Sequence, residues 1–246
     1  MKKGMALFSI LVVGSGGLTL AGPTTYSGSL SAAGPDPSLI AVGGSWGNAA
    51  ATPATLSWQV TDIGSGRWRY EYTLTVWGAG ISRAIVEASD ADPGPAFTSG
   101  NLMGPTSNPS GWIDDVAVGT YNVLPDNPGI PGAVYGIQFT CMDDAPALPT
   151  QLTLSFESDR EPVWGDFYAR GWGFMCDVTG AYQPALNNFA YNKGFAGDDP
   201  GDPPSDGSIG YHVLVPDSVP IPSPGALLLG SLGAVLVGWL RRRGSV

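Results

Sequence analysis

RWRYEYTLTVW, residues 67–77, decides how the chain reads. Trp68, Tyr70, Tyr72, Leu74 and Val76 fall on one side of an extended backbone, and Arg67, Arg69, Glu71, Thr73 and Thr75 fall on the other. Side chains alternate with a period of two along a strand, so the pattern predicts a strand of an antiparallel sheet with one face buried and one in water. The preceding TLSWQVTD puts Leu56, Trp58 and Val60 on one side, and Ile63-Gly64-Ser65-Gly66 supplies the turn between the two segments. The pair predicts a hairpin.

Outward from that hairpin the pattern recurs. Strands are expected over residues 82–89, 133–141, 151–158, 162–170, 172–178 and 211–217. In the third of these Leu152, Leu154 and Phe156 alternate with Thr153, Ser155 and Glu157. About eight strands without a long amphipathic helix predict an all-β fold, a β-sandwich or jelly roll of antiparallel strands, with a closed barrel as the other option. Turn-forming residues fill 89–111, 124–132 and 197–207. The first is long for a compact domain and is expected to be either functional or mobile.

The two ends read differently from the body. Lys2 and Lys3 precede an apolar run from Met5 to Val13, then small residues to Ala21, the order of a secretory signal peptide cut after Ala21. Residues 225–240 carry no charge and are followed by Arg241, Arg242 and Arg243. As a helix rising about 1.5 Å per residue, that run would span a little less than a hydrocarbon core of about 30 Å. The arginines would stay on the cytoplasmic side after export. Residues 215–224, rich in proline, are expected to be a stalk between a domain over 22–214 and this C-terminal segment.

Pro220-Ile221-Pro222, the Gly- and Leu-rich run and the arginine cluster together resemble a PEP-CTERM sorting signal of exported Gram-negative proteins. The resemblance covers residues 219–246 and departs at Ile221, where the motif has Glu, so cleavage at it is left open. It implies an exosortase-type processing enzyme as partner, transient attachment to the inner membrane, and a role in the cell envelope or an exopolysaccharide matrix. A plain membrane anchor is the alternative. Residues 156–170 and 187–195 also resemble segments of exported proteins with similar tails, a likeness to which no activity attaches.

Neither end contains an acidic residue, and together they hold five of the 11 basic ones. Residues 22–219 therefore carry six basic and 21 acidic side chains, a net of −15. Such a body is no partner for nucleic acid, which is bound through Lys and Arg. It favours solubility and attracts divalent cations.

An exported chain can keep a disulfide, and Cys141 with Cys176 is the available pair, the alternative being two buried thiols. A zinc site finds no support in spacing, because His212 is the only histidine and no Cys pair stands at ligand distance. A Ser-His-Asp triad would also need His212, and no GxSxG elbow accompanies it.

Two groups remain. On a single strand Trp164, Asp166, Tyr168 and Arg170 would share one face, where two rings flanking a carboxylate and a guanidinium suit a sugar. The competing reading buries the strand on both faces, with Asp166 and Arg170 as an internal pair. Asp198, Asp199, Asp202 and Asp206 offer oxygen ligands of the kind Ca²⁺ takes, but prolines interrupt them and no EF-hand order is present. Glu157, Asp159, Glu161 and Asp166 contain carboxylates of the kind a glycosidase needs in a pair, although such clusters are ordinary on an acidic surface. The sequence thus favours a non-enzymatic exported envelope or matrix protein without a required cofactor, Ca²⁺ being the one candidate. A carbohydrate-binding module and a glycan hydrolase are the alternatives.

Overall fold

A computed structural model describes residues 24–43, 46–47, 52–89, 95–123, 127–141, 148–172, 174–176, 182–184 and 188–220. The expected signal peptide, Ile221, Pro222, the apolar run and Arg241 to Arg243 lie outside the described residues, as does the side chain of Cys176. Among the described residues no helix is long and apolar enough to cross a membrane.

The fold is all-β and antiparallel. One sheet has five strands in the order β1 (Thr25–Ser31), β3 (Thr55–Gly64), β4 (Arg67–Thr75), β9 (Gln151–Ser158) and β6 (Leu102–Asn108). The other has six, in the order β2 (Leu39–Val42), β14 (Asn188–Asn192), β11 (Phe167–Trp172), β5 (Gly80–Glu87), β8 (Val134–Thr140) and β7 (Asp115–Tyr121). Two small ribbons complete it, β10 (Arg160–Gly165) with β15 (Val213–Pro220), and β12 (Phe174–Cys176) with β13 (Tyr182–Pro184).

The expected hairpin is β3 and β4. Gly64 pairs with Arg67, which leaves Ser65 and Gly66 as a two-residue turn with φ of 58° and 70°. Both positive angles belong to the turn type whose twist matches that of paired strands. Every residue assigned to the apolar face of β4 is buried, from Trp68 to Leu74, and Val76 just beyond it. The opposite face carries Arg69, which pairs in register with Glu157 on β9 and bonds it at 2.9 Å. Arg67 reaches the same carboxylate at 2.6 Å.

The core lies between the two large sheets. Tyr72 of β4 stacks 6.2 Å from Phe167 of β11, and Phe156 of β9 stacks 5.8 Å from Phe139 of β8. The β10–β15 ribbon is fastened over this core by two tyrosines: the Tyr70 hydroxyl donates to the Arg160 carbonyl and the Tyr72 hydroxyl to the Leu214 carbonyl, each at 2.8 Å. Buried phenols need such partners, and here the partners are backbone groups of the strands they cover.

Three expectations change. Residues 89–111 are not a single loop, because Leu102–Asn108 forms the edge strand β6 against β9. Residues 162–170 are not one strand. The chain breaks at Gly165 and Asp166, so β10 joins the ribbon while β11 enters the six-stranded sheet. The first part of the expected stalk lies inside β15, with Pro216 opposite Pro162 and Pro220 opposite Arg160. Proline lacks a backbone N–H and is tolerated here because the ribbon has only two strands, each with an open edge.

Candidate functional site

The break at Gly165 creates a corner where four elements meet. Asp166 sits between β10 and β11, Glu87 ends β5, Asn192 ends β14, and His212 directly precedes β15. Glu87 and Asp166 clasp each other through the backbone: Glu87 N–H donates to the Asp166 carbonyl at 2.9 Å, and Asp166 N–H donates to Glu87 Oε2 at 2.7 Å. Glycine at 165 permits this approach, since a Cβ there would lie 2.9 Å from Glu87 Oε2.

Asn192 locks the aspartate. Its amide donates to Asp166 Oδ1 at 2.7 Å while its carbonyl oxygen accepts from Phe167 N–H at 2.8 Å, so the amide orientation is determined from both ends. His212 is presented by a tight turn in which its N–H donates to the Ile209 carbonyl at 2.9 Å. Gly210 and Tyr211 in that turn have φ of 57° and 67°. A positive φ is uncommon for tyrosine. Around it, Lys193 pairs with Asp36 and lies 4.8 Å over the Tyr211 ring, and the Tyr211 hydroxyl donates to Asp36 at 3.2 Å.

Asp199 closes the corner from the loop between Lys193 and His212. Its Oδ1 lies 3.2 Å from His212 Nδ1, the same distance as Asp166 Oδ1. Neither oxygen makes a well-directed hydrogen bond with that buried nitrogen, although both flank it at ion-pair distance. His212 is 2 % exposed and Asp166 6 %, whereas the Asp199 side chain is 44 % exposed and forms the outer wall.

The electrostatics follow from this packing. Burial pushes the Glu87 carboxyl up to about 8, and the charges of Asp199 and Asp166 push the same way. Burial works against the charge of His212, but the Asp166 and Asp199 carboxylates outweigh it and raise the imidazole to about 9. The corner therefore places one nitrogen and two carboxylate oxygens within 4.8 Å of one another, with the Glu87 carboxyl close by.

Of the four residues expected on a sugar-binding face, only Asp166 belongs here. Trp164 is 2 % exposed and packs in the main core, while Tyr168 has no exposed surface and packs with Ile85, Ile130, Val134 and Phe195 on the other side of the six-stranded sheet. Two buried rings offer no face to a sugar. Arg170 is half-buried on β11, in register with Arg83. The competing reading of a strand buried on both faces holds for β11, but the carboxylate of Asp166 goes to Asn192 and His212.

The four aspartates of the acidic loop do not converge. Asp199 turns to His212, and Asp206 accepts from Ser27 N–H at 2.8 Å on β1. Asp198 and Asp202 are exposed, and among the described residues the group able to surround one ion is Asp166, Asp199 and His212. Glu157 is held by two arginines, and Asp159 accepts from Asn101 at 3.0 Å. Cys141 is buried beside β8. Glu87 and Asn192 had no signal in the sequence, and His212 had only its solitude in a chain poor in cations.

No protein-family model matches the chain, and neither does any curated protein or solved structure.

Proposed function

We propose that this chain is a non-enzymatic component of a bacterial cell envelope or exopolysaccharide matrix, exported through its N-terminal signal and sorted through its PEP-CTERM-like tail. The observation that carries the reading is the order of that tail, a Pro-x-Pro motif, an uncharged Gly- and Leu-rich run and three arginines, behind a body of net charge −15. The body is a β-sandwich or jelly roll in this reading, its two large sheets packed over shared aromatic rings.

Intact mass and fractionation of the protein from its own host test the proposal. The expected product lacks the first 21 residues or so and the segment beyond Pro220, and is found at the surface or outside the cell. A mature chain that still ends in Val246 and stays in the inner membrane overturns sorting and leaves an anchored domain.

A further inference from the structure

We propose that Asp166, Asp199 and His212 form a binding site for one divalent transition-metal ion of the zinc class, ligated by His212 Nδ1 and one carboxylate oxygen from each aspartate. The site goes beyond the envelope role and does not rest on it.

Geometry is the first argument. The two N···O separations of 3.2 Å match the spacing of ligand atoms around a tetrahedral ion. Two ligands each about 2.0 Å from such an ion lie about 3.3 Å apart. The second argument is independent of the acidic residues: the buried Nδ1 points into the group without a directed hydrogen bond. A buried polar atom left in this state is costly, and an ion between it and the two oxygens would satisfy it.

Orientation and charge agree. Asn192, itself fixed by the Phe167 N–H, holds Asp166 as an outer layer of hydrogen bonds holds a metal ligand. The carboxylates of Asp166 and Asp199 give the corner the negative charge that a divalent cation is drawn to. The nitrogen ligand selects the class of ion. Imidazole suits Zn²⁺ and its neighbours, whereas Ca²⁺ takes six to eight oxygens. Three protein ligands leave a fourth position for water or an outside donor, reached past the exposed Asp199.

The full chain, stripped with a chelator, is titrated calorimetrically with Zn²⁺, Mn²⁺ and Ca²⁺, and bound metal is counted by mass spectrometry. One Zn²⁺ per chain is expected, with a higher melting temperature and Ca²⁺ at least tenfold weaker. Asp199→Asn lies on the exposed wall and keeps the fold, which circular dichroism checks; it should weaken Zn²⁺ at least tenfold. Asp206→Asn, on the same loop but bonded to Ser27, should not. Substoichiometric Zn²⁺ in the parent, or equal Zn²⁺ affinity in Asp199→Asn and the parent, overturns the site, the latter placing the ion elsewhere. Calcium binding as tightly as zinc overturns the nitrogen ligand.

Discussion

The five-stranded sheet and the corner at Asp166 are built on opposite plans. In the sheet, β3, β4 and β9 turn one face to the core and the other to water, so apolar and polar residues alternate, and on the outer face Arg67 and Arg69 meet Glu157 in solvent. At the corner, Phe167, Tyr168 and Ala169 are buried in succession because the six-stranded sheet is covered on both sides there. Polar groups in this second region are inside, and they persist by bonding one another. The difference teaches that alternation reports burial on one face and is silent where both faces are covered.

The largest effect expected from breaking this contrast is in the shared core. Phe156→Ala removes a ring that stacks on Tyr70 at 5.3 Å and on Phe139 at 5.8 Å. It should destabilise by about 3–5 kcal/mol, read as a lower midpoint in urea with little change of slope. A loss under 1 kcal/mol would mean the two sheets do not share one packed core.

Asn192→Ala probes the corner. It leaves Phe167 N–H buried without its acceptor and frees the Asp166 carboxylate from its donor. Destabilisation of about 1–3 kcal/mol is expected from the unsatisfied groups, measured in chelator so that no ion contributes. An effect no greater than that of an exposed substitution would show that the corner is not a bonded network.

The smallest effect belongs to the outer face of the sheet. Hydrogen bonding from Arg69 and the charges of Arg67 and Arg69 hold the Glu157 carboxyl below its usual value of 4.5. A folded-state value below the unfolded one stabilises the fold above about pH 4.5, and that contribution is lost as pH falls through the lowered value. The parent should therefore melt slightly above Glu157→Gln at pH 7, the gap closing in acid. Water and salt screen such a pair, so a large gap would contradict its exposure.

Legibility in the sequence followed the same division. The β3–β4 hairpin, its turn and the buried face of β4 were readable because each strand has one wet face and Ser65-Gly66 suits a two-residue turn. β9 matched its expected bounds of 151–158 for the same reason. Residues 162–170 misled because apolar residues run on both faces, so Gly165 looked like part of a strand and not the bend that splits it. Trp164 and Tyr168, assigned to one face by counting, ended in different clusters. The acidic loop looked like one set of ligands, yet Asp199 turns to His212 and Asp206 to Ser27 on β1.

By itself the sequence determined the all-β antiparallel class, the inward side of the regular strands and the acidic balance of the body, because period, turn chemistry and charge are local properties. Tertiary structure alone decided that Glu87, Asp166, Asn192, Asp199 and His212 meet. These residues come from five separate places in the chain, and their approach depends on where one ribbon leaves a sheet and how a loop returns across it. No local pattern records such a crossing, which is held by contacts between residues far apart in sequence, among them the Tyr70 and Tyr72 hydroxyls on the backbone of that ribbon.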